Sequence, residues 1–438
     1  MTTIIFCIFF RNFINSKLFV SFGVYFGSSI LNALLPFLLL PFFTKYLSVI
    51  DYGYITIFST ISSFLFPFIG FSTGGVISRE YFNGNYRRFS EYSGNVFFVL
   101  LVSSIPVLML LYIVSDEIVS SFNIPASIIP LAFIYSFFTF FTYVSLSIWQ
   151  VRISPFSYGF FQVGNTLINL IFSILLVGVL NFGWEGRVYS QTYVQVIFGI
   201  SGFLFHIKSG SIIFRIDKNM ILDALKFGVP LIPHSLGAVI MIFSDRFIIT
   251  KFLGVESVGL YSLGYTIGSI IGFIENSFNL AFAPWLFEKL NKNSLMINQK
   301  IVKFTYLYFV VILFLSFLLF LVTPYLFTLF INPKFHDAQK YVFWFSLSFA
   351  FSGMYKMVVN YIFFVKKTKI LAYITFFSSI LNFSLSFYLV RCIGAIGAAY
   401  SSAFCAFIFF VFAWVYSSKV YKMPWHLKYI FRPAIESV

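Results

Sequence analysis

Runs of about twenty apolar residues, separated by short breaks rich in Lys and Arg, recur along the whole of this 438-residue chain. A helix needs a run of that length to cross the hydrocarbon of a bilayer, and a helix is what satisfies its own backbone N–H and C=O groups there. Charged residues make up only 10% of the chain and hydrophobic ones 60%, whereas soluble domains carry about 25% charged residues. The chain therefore reads as an all-α integral membrane protein. Its 66 Phe and 27 Tyr supply bulk for a helical bundle and anchors at the lipid interface.

Cutting at charged and Pro- or Gly-bearing breaks places twelve transmembrane helices at residues 19–43, 53–77, 92–114, 127–149, 158–180, 188–207, 227–250, 258–285, 304–325, 341–364, 370–390 and 394–416. With the amino terminus inside, Lys45, Arg187, Lys251, Lys334, Lys340 and Arg391 fall in outer segments, and Arg246 and Lys356 fall within spans. Every other Lys and Arg lies in an inner segment. Basic loops resist translocation, so this bias supports both the span count and cytoplasmic termini. The net charge of +15 then follows from topology and asks for no nucleic acid. Met1–Phe10 is too short to span and lacks a cleavage site, so no signal peptide is expected. Cys7, Cys392 and Cys405 show no metal or disulfide spacing.

The chain repeats itself. TKYLSVIDYGYITIFSTI from Thr44 matches TKFLGVESVGLYSLGYTI from Thr250. TLINLIFSILLV from Thr166 resembles SILNFSLSFYLV from Ser379, setting Asn169 against Asn382 and Ser173 against Ser386. GWEGRVYS from Gly183 resembles GAIGAAYS from Gly394. Six spans per half is an even number, so the halves enter the membrane in the same direction. That predicts two six-helix lobes related as parallel repeats around a central cavity. The expected domains are 1–207, a cytoplasmic linker at 208–226, 227–418, and a cytoplasmic tail at 419–438.

The segment 227–290 is a helical hairpin about a turn at Leu253-Gly254-Val255-Glu256, and it carries His234, Asp245, Arg246 and Glu275 inside apolar runs. An ionisable group facing lipid at mid-bilayer costs roughly 2.5–3.5 kcal/mol, so these should face protein or a wet cavity. Pro230 and Pro233 predict a kink. Arg246 either snorkels to outer headgroups beside Asp245 or binds a phosphate or sugar acid. Lys356 is too central to snorkel, and Glu275 is its candidate partner, as packing pair or proton acceptor. His234 either satisfies a carbonyl freed by the kink or relays protons. Arg79 with Glu80 forms an interfacial pair or contacts a lipid diphosphate. Asn32, Gln150, Gln162, Asn165, Asn169, Gln191, Gln195 and Asn279 suit a sugar-lined cavity or interhelical bonding. No Walker A, GxSxG, HExxH or metal–nucleotide motif is present, and no outer loop exceeds about twenty residues, so an enzyme is not expected.

At the hairpin the sequence resembles Wzx-type polysaccharide flippases. The residues are Gly228, Pro230, Pro233 and His234, then Ser244–Phe247, Lys251–Gly254, Val258, Gly259 and Tyr261, then Ala283–Trp285 with Glu288 and Lys289, and GGVISREYF around Arg79. That family is in the superfamily of multidrug and toxin extruders and lipid II flippases. The resemblance implies translocation of undecaprenyl-diphosphate-linked oligosaccharide, as for O-antigen or a related surface polysaccharide, across a bacterial inner membrane by alternating access. It implies no cofactor, with energy from protons, sodium or the membrane potential, and it implies work beside a polysaccharide polymerase and a chain-length regulator. The expected translocation residues are Arg246, Lys356, Asp245, Glu275, His234 and Arg79. Two rivals stand: an ion-coupled multidrug exporter, and a membrane polysaccharide polymerase or ligase, for which the segment Thr323–Lys340 is a poor catalytic loop.

Overall fold

The computed structural model describes residues 24, 27–28, 31–32, 37–81, 86–290, 294–365 and 369–425. The side chains of Ser78, His234, Ala238, Met241, Ile242, Ala281, Pro284, Lys369 and Ala372 lie outside that set. All regular structure among the described residues is helical, in two compact units, Met1–Val239 and Ile240–Val438.

In the first unit, α1 (Leu40–Tyr46) leads into α2 (Val49–Leu65). A reciprocal cap fixes the start of α2: the Ser48 hydroxyl accepts from Asp51 N at 3.0 Å, and the Asp51 carboxylate accepts from Ser48 N at 2.8 Å. The second expected span does not run straight. Gly70, Phe71 and Ser72 take φ of 72°, 47° and 55°, and the chain bends by 69° before α3 (Val76–Tyr81). The bend is clamped from outside: Gly70 N donates to the Ser103 hydroxyl at 2.8 Å, and any side chain at Gly70 would run into the Phe140 ring. Irregular backbone at this depth is tolerated where protein encloses it in this way.

The unit continues with α4 (Tyr86–Phe122), α5 (Ile128–Val151), α6 (Pro155–Ser173) widening through Ile174–Val179, α7 (Gly183–Lys208) and α8 (Lys218–Gly228). The segment expected as a linker is laid onto this unit. Ile213 N donates to Ser90 O at 3.0 Å, the Asn95 amide donates to Arg215 O at 2.8 Å, and its oxygen accepts from Asp217 N at 3.0 Å. Asp217 then caps α8. Gly94 and Gly228 allow the close approach, since a side chain at either would collide with a carbonyl, of Ile213 and Phe71 respectively.

The chain passes into the second unit along α9 (Ile232–Gly268) and continues with α10 (Ile270–Leu290), α11 (Leu295–Phe330), α12 (Gln339–Phe364), α13 (Lys369–Ile393) and α14 (Ile396–Val420). The four-residue hairpin turn contracts to Gly254 alone, at φ 82°, a conformation glycine adopts without strain. In this unit α12 packs most extensively against α14 and also against α10 and α11. Among the described residues, eight helical stretches, one of them Phe243–Leu290 with its break at Gly254, are long and apolar enough to cross a membrane, besides the bent pair Val49–Leu65 and Ile69–Tyr81. Gly183–Lys208 has the length to cross but carries Glu185, Arg187, Gln191, Gln195 and His206. Eleven of the twelve expected spans thus have helical counterparts among the described residues, and the first, 19–43, lies largely outside them.

Candidate functional site

A cavity of about 340 Å³ lies within the second unit, and four residues separated by up to 111 positions in sequence line it: Asp245, Arg246, Glu275 and Lys356. They form two groups.

In the first, Lys356 Nζ on α12 lies 3.0 Å from each oxygen of Glu275 on α10. It donates to Oε1 and also to Asn276 Oδ1 at 3.1 Å, while the Ser352 hydroxyl donates to Glu275 Oε1 at 3.4 Å. Oε2 is at ion-pair distance but accepts no well-aligned hydrogen bond. Gly353 makes room for the pair: a Cβ there would stand 2.9 Å from Glu275 Cβ and 2.6 Å from the Tyr308 hydroxyl. The Glu275 side chain is 4% exposed and that of Lys356 27%. Coulomb attraction at 3 Å with an effective dielectric near 20 is about 5 kcal/mol, and desolvation of the two ions is of the same size. The pair therefore adds little net stability, yet either member alone would be a charge stranded in an apolar wall.

In the second group, Asp245 and Arg246 on α9 are 3% and 4% exposed. The Asp245 carboxylate accepts three hydroxyls, from Tyr261 at 2.7 Å, Ser386 at 2.7 Å and Ser402 at 3.0 Å. Asn382 Oδ1 extends the network, accepting from Ser386 at 3.1 Å and Ser401 at 3.0 Å. The Arg246 guanidinium lies 4.5 Å from the Tyr265 ring centroid, 5.0 Å from Phe243 and 5.8 Å from Tyr261. These rings offer their negative faces to the cation. Together the groups give one apolar-walled cavity two cations, two engaged carboxylates and several hydroxyls. Such a lining suits a ligand with oxyanions and many hydroxyl groups.

Arg79 stands apart from this cavity, in the first unit. It pairs with Glu80 at 2.8 Å and with Asp223 of α8, and its guanidinium faces the Phe227 ring at 5.3 Å. The Tyr92 hydroxyl donates to Asp223 at 2.6 Å. That hydrogen bond, followed by those from Arg79, holds the Asp223 carboxyl below the ordinary carboxylate range. Arg79 thus ties α3 to α8. His234 is on α9, and its side chain is outside the described set. Among the described residues no cluster of His, Cys, Asp or Glu could hold a metal ion.

Several groups of the site were not foreseen: Tyr261, Tyr265, Ser352 and Ser402, which line the cavity, and Asn276, which accepts from Lys356. Asn382 and Ser386 carried a signal as members of the internal repeat, and Tyr261 and Tyr265 lie in the repeated stretch from Thr250. Asp223, the partner of Arg79, sat in a segment read as linker.

A family model for a polysaccharide biosynthesis protein matches residues 18–290, and a second, MatE, matches residues 230–388. A protein of the Lsg locus of Haemophilus influenzae is 24% identical over 370 residues, covering 83% of this chain and 89% of that protein. An uncharacterized membrane protein of the same organism is 25% identical over 350 residues, covering 79% and 84%. Among solved structures, an inward-facing multidrug resistance MATE family transporter of the MOP superfamily superposes with a TM-score of 0.72 at 13% identity, over 88% of this chain and 94% of that one. The lipid II flippase MurJ in its inward closed conformation gives 0.67 at 17% identity, over 91% and 87%. The structural matches establish the fold, and the first family model covers more than half of the sequence. The chain accordingly belongs to the polysaccharide biosynthesis protein family, as a multi-pass membrane protein with the fold of those transporters.

Proposed function

We propose that this transporter carries undecaprenyl-diphosphate-linked oligosaccharide units of O-antigen or a related surface polysaccharide. It would move them by alternating access from the cytoplasmic to the periplasmic leaflet of a bacterial inner membrane, with both of its termini cytoplasmic. The observation that carries this reading is the second unit's cavity, where Arg246 and Lys356 are set among hydroxyls and aromatic rings. A diphosphate or sugar acid meets the cations, and sugar rings meet hydroxyls and aromatic faces. Family membership adds weight, since the matched family is described by polysaccharide biosynthesis. A polymerase and a chain-length regulator would receive the product.

Energy would come from protons, sodium or the membrane potential, and Asp245 is the residue to carry such coupling. Its carboxylate is surrounded by oxygen donors from α9, α13 and α14, so any change in its charge or occupancy is felt by three helices at once. The MatE match over residues 230–388 keeps one rival, an ion-coupled exporter of organic cations. Such cargo needs net negative charge, whereas each carboxylate of this cavity stands beside a cation, Glu275 beside Lys356 and Asp245 beside Arg246.

Deletion of the gene in its host, with complementation by wild type or by Lys356→Ala, separates the two. Loss of surface glycan restored only by wild type, at equal protein level, supports the flippase. Normal glycan with altered drug susceptibility selects the exporter.

A further inference from the structure

The first unit holds a cation that no carboxylate answers. Arg187 stands in the second turn of α7, half-buried. Its Nη1 donates to Asn169 Oδ1 and to the Ser173 hydroxyl of α6, each at 2.5 Å, and its guanidinium lies 4.9 Å from the Phe43 ring centroid. Of the chain's 14 Asp and Glu, all but Glu436 are among the described residues, and none of these is within ion-pair distance of Arg187. Its Nε and Nη2 make no hydrogen bond to described residues.

The internal repeat shows what this place is. Asn169, Ser173 and Ser190 match Asn382, Ser386 and Ser401, and both triads are joined. Ser173 and Ser190 share a hydrogen bond of 2.6 Å, and Asn382 accepts from Ser386 and Ser401. In the second unit the triad holds the Asp245 carboxylate through Ser386. In the first unit the position matching Asp245 is Leu39, and the triad holds the Arg187 guanidinium instead. The same scaffold thus presents an anion in one unit and a cation in the other.

We infer that Arg187 anchors an oxyanion-binding site in the first unit, for a phosphate or carboxylate group. Asn169 and Ser173 hold one nitrogen by neutral acceptors, which orients the guanidinium without cancelling its charge. The two remaining nitrogens form the edge that takes an oxyanion through two parallel hydrogen bonds. The nature of the natural ligand rests on the flippase reading: on the orientation proposed above, α7 starts at the outer surface, so the site would take an acidic group of the cargo on the release side.

The test uses the purified full-length protein in nanodiscs of zwitterionic lipid, titrated calorimetrically with inorganic pyrophosphate. Arg187→Gln should weaken binding at one site by at least about tenfold, and Arg187→Lys should fall between, because an ammonium keeps the charge and loses the fork. Unchanged pyrophosphate binding in Arg187→Gln overturns the inference. If Arg187→Gln does not fold, Arg187→Lys decides: a lower Tm with unchanged affinity makes Arg187 a packing tie and overturns the site. Repeating the titration with phosphatidylglycerol in the nanodisc identifies the source, since competition points to a lipid headgroup and its absence to the cargo. Pyrophosphate titration needs no glycan, so this inference and the proposed function fail separately.

Discussion

Replacing Lys356 by Met keeps the length of the side chain and removes the charge that faces Glu275. Removing one partner of a buried pair costs about 3–5 kcal/mol. The Lys356 side chain is 27% exposed, so water screens part of the interaction and about 2–3 kcal/mol is the reasonable expectation. Glu275→Gln should cost somewhat less, because Gln still accepts from Ser352 and Asn276 still accepts from Lys356. The double variant leaves no stranded charge and should lie within about 1 kcal/mol of wild type, giving a coupling of about 3 kcal/mol between the two positions. Thermal unfolding of all four proteins in one detergent at one scan rate, combined with surface glycan in the complemented deletion strain, measures both sides. Lys356→Met and the double variant should both fail to restore glycan even though the double variant is stable. Effects that add within about 0.5 kcal/mol, or a double variant that transports normally, would refute the reasoning that the pair is kept for the cavity.

Two further outcomes follow from the same geometry. Gly353→Ala places a methyl 2.9 Å from Glu275 Cβ and 2.6 Å from the Tyr308 hydroxyl, so it should lower both glycan export and Tm, whereas wild-type values would show that α10 and α12 are free to part. Asp223→Asn removes the tie to Arg79. Because the folded-state carboxyl is held below the ordinary 3.8, the stabilisation is whole above that value and is lost as pH falls through the lower folded one. The Tm gap between wild type and Asp223→Asn should be flat from neutral pH down to about 5 and close only below the ordinary carboxylate range; closure near pH 6 would assign it to another group.

The spans were legible because hydrocarbon imposes length and composition on each helix separately. Glu275 and Lys356 were legible for the same reason, since both lie well inside the expected spans 258–285 and 341–364. The hydroxyl shell of Asp245 was not: Ser386 and Ser402 arrive from 141 and 157 residues away, and serine in a membrane helix more often bonds back to its own turn. The break after Pro67 shows the limit of local reading. Gly70 is an ordinary turn residue, but positive φ at Phe71 and Ser72 depends on clamping by Phe140 and Ser103, which no local pattern displays. Arg187 was counted as an outer-loop charge because the span was started at 188, whereas the helix begins at Gly183 and draws that cation inside. The helix over 218–228 had its signal in the Asp217 cap, but its place on the first unit rests on partners far off in sequence: Asn95, 122 residues before Asp217, and Arg79 and Tyr92 on Asp223.

The most direct measurement is translocation itself, in proteoliposomes reconstituted with the purified protein and a fluorescent undecaprenyl-diphosphate-linked oligosaccharide, following loss of the label to a membrane-impermeant quencher. Wild type should move the lipid between leaflets at a rate that protein-free vesicles and Lys356→Met do not reach. Equal rates in all three would contradict the account.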